Sequence, residues 1–197
     1  MINSEYVRSI ARHEAAHWIM GKRFGAGVGA ITLKFTHEPG TSSVRLDCHA
    51  AVDRIASTKT VPEIEEYFRQ RVRASMAGAI AQLPPDVGVT IPAVMGIWEN
   101  EGQDDYMKIR EFCQILRNIQ YGEADRQTAK TQLNEISEAL FLASVNDVQE
   151  NKEPIKDLAE HMASAVTEFN KSYVFSSAAI SSIPSIQALF PLAQSGS

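Results

Sequence analysis

Residues 8–25 read RSIARHEAAHWIMGKRFG, and the fold turns on whether this stretch is an ordinary core helix interrupted by polar residues or a helix built around them. From Glu5 onward the apolar residues Tyr6, Ile10, Met20 and Phe24 recur at helical spacing, with His13 and His17 on the same stripe. Ser4 is suited to cap the start and Gly25 the end. The spacing predicts a helix, and the order His13, Glu14, x, x, His17 places two imidazoles on its apolar face.

Four residues advance an α-helix by slightly more than one turn, so the two imidazoles project from one side and can share a tetrahedral zinc ion (Zn2+), with Glu14 beside them. Three protein ligands leave a fourth position for water, whose pKa falls toward about 7, and a carboxylate next to the first ligand can take its proton. That arrangement suits amide hydrolysis with Glu14 as general base. The three fixed positions arise by accident in on the order of one chain in a hundred of this length, so the surroundings must decide. Two unpaired imidazoles on a stripe with Ile10 and Met20 are costly to bury unless ligated or hydrogen-bonded, which favours metal. Glu14 and His17 also form the Glu-x-x-His pair of di-iron carboxylate bundles. Such a site needs a second pair, and none of His37, His49 and His161 has Glu three residues before it.

At 197 residues the chain has room for one domain with a real core, and 44% apolar with 22% charged residues fits a globular protein rather than a disordered or fibrous one. The net charge of −5, with dispersed basic residues, argues against nucleic acid or an anionic membrane as partner. No stretch approaches the roughly 20 apolar residues of a membrane span, and MINSEYVRSIARHE lacks the pattern of a leader. Cys48 and Cys113 are too few for a disulfide framework or a cysteine-only metal site, though they allow one bridge. The expectation is a soluble, unexported protein of a reducing cytoplasm.

Residues 28–50, VGAITLKFTHEPGTSSVRLDCHA, hold two β-prone runs around the turn-like HEPGTSS, which predicts a hairpin or small sheet and the chain's only good strands. In residues 58–83, Thr60 and Glu63 have capping-box spacing, Pro62 falls in the first turn, and Ile64, Phe68, Val72, Met76, Ala79 and Leu83 form the stripe of a second helix. LPPDVGVTIPAVMG (83–96) reads as a loop. A third helix, starting between Glu99 and Asp105, presents Ile109, Phe112, Cys113, Leu116 and Ile119. Two more carry Leu133, Ile136, Leu140 and Val148, then Ile155, Leu158, Met162, Val166 and Phe169 after Pro154. The expected fold class is α+β, predominantly α-helical. Residues 1–175 form the domain, and the Ser/Ala/Pro-biased residues 176–197 form a C-terminal extension that is either docked or a partly disordered tail.

A zinc site of this kind needs one more donor, and WENEGQDDYMKIREFCQIL (98–116) is the acidic source. Counting back from Leu116 through Phe112 and Ile109 in steps of three and four reaches Asp105, then Glu101 if the helix extends that far, whereas Asp104 aligns with Lys108 and Glu111. Asp105 is the first candidate ligand and Glu101 the alternative, while Asp105 as a plain first-turn acid is also a common arrangement. NEGQDD (100–105) resembles the Asn-Glu-x-x-x-Asp helix of thermolysin-like enzymes, which is the case for Glu101.

HEAAH (13–17), AITLKF (30–35), AGAIAQL (77–83) and EGQDDY (101–106) together resemble the peptidase domain of the FtsH family of ATP-dependent zinc metalloproteases. That family shows, in the same order, His-Glu-Ala-Gly-His, a β segment, a helix around Gly-Gly-Arg-x-Ala-Glu-Glu and a helix opening Gly-Ala-x-Asn-Asp-Leu. The likeness in order runs from Glu5 to Phe169. It implies a zincin-like metallopeptidase fold, zinc ligands His13, His17 and Asp105, and Glu14 as catalytic base. The sequence departs from the pattern where Ala79, Gln82 and Leu83 replace the second motif's Arg and paired Glu, and where Glu101 replaces the third motif's Gly. A chain of 197 residues has no room for the family's ATPase and carries no Gly-x-x-x-x-Gly-Lys-Ser/Thr loop, and the family's membrane anchor is not expected. Coupling of ATP to unfolding would then be absent or come from a separate ATPase or unfoldase.

The leading expectation is a zinc metalloendopeptidase acting on unfolded or extended polypeptide, bound along the strand edge near Ile31 to Phe35, with Thr32 and Leu33 as substrate-binding residues. His37 and His49 could also touch substrate. The alternative is a catalytically inactive zinc-binding regulatory or interaction module: Glu14 speaks against it, the altered motifs for it. A third reading, a helical scaffold without metal, makes His13, His17 and Asp105 core or cap residues. The sequence leaves homo-oligomerisation open.

Overall fold

Helix α1 (Ser4–Arg23) is buried along most of its circumference, with Val7, Ile10, Ala11, Ala15, Ala16, Trp18, Ile19 and Met20 all inside. The computed structural model describes residues 4–37, 40, 44–53, 56 and 58–191, and in it α1 packs between the sheet and the second and sixth helices of the chain. The narrow stripe of Tyr6, Ile10, Met20 and Phe24 understates this. Tyr6 and Phe24 are only half-buried, whereas Ala11, Ala15 and Ala16 let neighbours close in on other faces. Ser4 already lies within the helix. The far end is as the sequence implies: Gly25 takes φ +78°, its N–H donates to the Lys22 carbonyl, and the Ala26 N–H reaches the Gly21 carbonyl.

The chain then makes β1 (Gly27–His37), β2 (Val44–Leu46) and β3 (His49–Asp53), joined much later by β4 (Ser172–Phe175), in a small antiparallel sheet. Residues 38–39 and 41–43 of the expected turn lie outside the described residues. Ile31, Leu33 and Phe35 are buried in alternation, and the Trp18 indole N–H donates to the Gly29 carbonyl at 2.9 Å, tying α1 to β1. Strand β1 is interior: β2 and β3 succeed one another along one side and β4 covers the other. Thr32 pairs with His49 and with Val174, and Leu33 is fully buried opposite Tyr173. The expected docking edge at Ile31 to Phe35 is therefore corrected, because both its flanks carry strands. Among the described residues, the outer sides of β2, β3 and β4 carry no partner strand.

Helix α2 (Val61–Gln82) opens with the expected capping box: Glu63 Oε2 accepts from the Thr60 N–H at 2.9 Å, and Thr60 Oγ1 from the Glu63 N–H at 3.4 Å. The expected loop is corrected at its second half, where α3 (Ile91–Asn100) forms with Thr90 as N-cap and Pro92 in the first turn, burying Val94 and Trp98. Pro at that place starts a helix rather than breaking one. Helix α4 (Gln103–Gln120) begins within the expected window and buries Ile109, Phe112, Cys113 and Leu116. Helix α5 (Arg126–Glu150) is clamped to α2 by the Arg73 fork on buried Asp147, at 2.8 and 2.7 Å.

Helix α6 (Lys152–Ala165) ends earlier than its apolar spacing suggests, so Val166 and Phe169 lie beyond it and the chain turns back to supply β4. The extension is docked as far as it is described. Helices α7 (Ser177–Ser181) and α8 (Pro184–Leu189) bury Ile180 and Ile186 completely, and the Phe190 ring packs 6.4 Å from Trp18. Residues 192–197 lie outside the described residues. The fold is α+β and mostly helical, and no described helix is long and apolar enough to cross a membrane.

Candidate metal centre

His13 and His17 leave α1 one turn apart, and Asp105 meets them from the first turn of α4. His17 Nε2 lies 2.9 Å from both His13 Nε2 and Asp105 Oδ2, and His13 Nε2 lies 3.2 Å from the same oxygen. Two ligands about 2.0–2.1 Å from a tetrahedral ion stand about 3.3 Å apart, so the triangle is close to the size an ion requires. Among the described residues these three form a group able to hold a metal ion.

The outer side of each ring is fixed. His13 Nδ1–H donates to Gln82 Oε1 at 2.9 Å, and His17 Nδ1–H to the Ala74 carbonyl at 2.9 Å. With Nδ1 as the protonated nitrogen, the neutral form of each ring turns an Nε2 lone pair inward, toward the other ring and toward Asp105 Oδ2. Three electron pairs converging at this range repel unless positive charge sits among them. The ionisation tendencies point the same way. Burial opposes a charged His17, yet the Asp105 charge and hydrogen bond, with the Glu14 charge, outweigh it and raise its pKa above the ordinary histidine value. Burial likewise opposes the Asp105 anion, and His17 and His13 overcome it, holding that carboxyl well below the usual carboxylate range. The donor set fits a divalent metal ion.

Helix α2 presses on the cluster at Gly78. A Cβ there would stand 2.6 Å from His17 Nε2 and 2.8 Å from His13 Nε2, inside any tolerable contact. Sequence reasoning passed over Gly78. Its signal is a glycine amid the helix formers Ala77, Ala79 and Ala81, where it costs about 1 kcal/mol of helix stability. Gln82 stands out in the sequence only as a departure from the family motif, and nothing local marks it as the partner of His13.

The cluster opens on a cleft of about 560 Å³, whose lining includes Glu14, Cys48, His49, Val52 and Asp104. Glu14 is 6% exposed, whereas Asp104 faces solvent as helical phase implies. Asp105, rather than Glu101, converges on the histidines. The Glu101 carboxylate accepts from Gln82 Nε2 and from the Tyr6 hydroxyl, and burial together with the Glu101 charge raises the Tyr6 pKa. Thr32 and Leu33 lie within the sheet and do not line the cleft. His37 packs on Phe169 with ring centroids 5.5 Å apart and is likewise absent from the lining, while His49 is on the wall. Cys48 and Cys113 are both free thiols, so the one possible bridge is not made; burial pushes their pKa values up to about 12 and about 11.

No protein-family model matches the chain, and a search of curated proteins finds no match either.

Proposed function

We propose that the chain is a zinc-dependent metallopeptidase of zincin-like fold, akin to the FtsH-family peptidase domain, which cleaves unfolded or extended polypeptide. The observation that carries this reading is the convergence of His13 Nε2, His17 Nε2 and Asp105 Oδ2 in a cleft that Glu14 also lines. Two imidazoles and one carboxylate form a donor set suited to zinc, with a coordination position left for the reaction. Zinc, when bound, supplies a Lewis acid that polarises the scissile carbonyl and acidifies water. Glu14 accepts a proton from the attacking water and delivers it to the leaving amine nitrogen as the C–N bond breaks.

The substrate is a peptide because β3 gives the cleft a strand edge, against which an extended chain can lie and exchange backbone hydrogen bonds. An adjoining cavity of about 240 Å³ shares Arg71 with the cleft and is lined by Gly21, Phe24, Tyr67 and Ala74, a setting for an apolar side chain. A folded protein would have to be opened first, so a separate ATPase or unfoldase is the partner this reading calls for. The free thiols suit a reducing cytoplasm.

The test is elemental analysis of purified protein, combined with cleavage of an unfolded substrate before and after chelation, in wild type and Glu14→Gln. We expect stoichiometric zinc in both and cleavage in the wild type that chelation stops and added zinc restores. Glu14→Gln should lower the rate by about 10²–10⁴-fold. A wild-type protein that takes up no zinc overturns the reading. Zinc without cleavage would favour the regulatory module.

A further inference from the structure

His17 and His13 are held by different kinds of acceptor. The Ala74 carbonyl that receives His17 Nδ1–H belongs to the backbone of α2 and cannot turn over. The acceptor for His13 is the amide of Gln82, 2% exposed at the end of α2, and an amide can present either its oxygen or its nitrogen. With oxygen inward it selects the Nδ1–H tautomer of His13; with nitrogen inward it selects Nε2–H, whose proton would occupy the lone pair aimed at the cluster. Gln82 Nε2 donates to Glu101, and that carboxylate also accepts from the Tyr6 hydroxyl. A carboxylate only accepts, so a turned-over amide would set the oxygen of buried Gln82 against the Glu101 carboxylate in a partly buried contact.

We propose that Glu101, in the turn between α3 and α4, is a positioning residue that sets the tautomer of His13 through the Gln82 amide and so keeps Nε2 free for a metal ion. Glu101 lines the same cleft, and it reaches His13 through two hydrogen bonds, by way of the Gln82 amide. Gln82 and Glu101 are both positions where the sequence departs from the FtsH-like motifs, and they are in direct contact, so the departures come as a pair. The inference rests on the reading that the cluster holds metal, but it can be tested in metal-free protein.

The experiment uses nitrogen-15 NMR of labelled histidine in the metal-free chain, with zinc affinity measured by competition against a chromophoric chelator. In the wild type His13 should be the Nδ1–H tautomer. In Glu101→Gln the new amide can either donate or accept, so the Gln82 amide is free to turn, and His13 should populate Nε2–H while His17 stays unchanged. Zinc affinity should fall by about tenfold, the lower end of what disturbing a ligand's outer partner costs. The swap Gln82→Glu with Glu101→Gln places a carboxylate directly on His13 Nδ1–H and should restore both tautomer and affinity. A wild-type His13 in the Nε2–H form overturns the proposal, as does a Glu101→Gln protein with unchanged tautomer and affinity, or a folded swap that restores neither. If the wild type takes up no zinc, the metal reading falls, and the tautomer contrast still decides the role of Glu101.

Discussion

Where α1, α2 and α4 meet, His13 and His17 each have both ring nitrogens engaged, the outer one by a hydrogen bond and the inner one by the convergence on Asp105. In the sheet, the His37 ring packs at a tilt against Phe169, and His49 stands exposed on the cleft side of edge strand β3. The same side chain is a corner of the candidate metal site in one layer and a packing or rim residue in the other. The difference lies behind the ring: a histidine becomes a directed donor only where a second element fixes its outer nitrogen and a third brings the counter-charge.

The sharpest way to break this contrast is at Gly78, where Ala would drive a methyl group into both rings. We expect Gly78→Ala to lose stoichiometric zinc, with affinity down by at least about a hundredfold. Gly96, inside α3 with open space around it, is the control, since Ala there should raise stability by about 0.5–1 kcal/mol. Metal analysis and thermal melts of the two variants check this. Wild-type affinity in Gly78→Ala would mean that the rings are not wedged against α2.

Zinc should also reverse the pH dependence of the cluster's own contribution to stability. In chelated protein, the raised pKa of His17 gives stability that is full below about 6.5 and lost as pH rises through the folded value. The depressed pKa of Asp105 gives stability present above about 4 and lost toward acid. The cluster's contribution is then greatest between those values. With zinc, ligand lone pairs must be free of protons, so stabilisation grows as pH rises through neutrality. The rise in melting temperature on adding zinc should therefore be larger at about pH 8 than at about pH 5.5. A rise of equal size at both would remove the cluster as the metal site.

The smallest effects belong to the sheet. His49→Ala should raise KM by no more than about fivefold at constant kcat, as truncation of a rim contact does. His37→Ala should alter neither KM nor zinc content, and a loss of cleavage there would show that the sheet's far end takes part in the site.

Much of the helical layer was legible. The HEAAH spacing, the Thr60 and Glu63 capping box and the phase that ranks Asp105 over Asp104 all concern residues within about three turns of one another. Strand β4 was not legible, because four residues carry too little periodicity to separate them from the end of α6. The placing of substrate residues at Thr32 and Leu33 failed for the same reason: whether β1 is an edge depends on a strand some 140 residues later. Helix α3 was hidden in a stretch whose Pro and Gly content reads as a loop, although the place of Pro92 after Thr90 makes it a helix starter.

The sequence by itself determined the helix that carries His13, Glu14 and His17, its glycine terminus, and the face on which Asp105 lies. These follow from a repeat of 3.6 residues and from caps a few residues apart. Only the tertiary structure decided that Asp105 closes the triangle while Glu101 turns to Gln82, that Gly78 makes room for both rings, and that β3 rather than β1 offers its edge. Those facts depend on contacts between residues distant in the chain, and no local periodicity records which lone pair will face which.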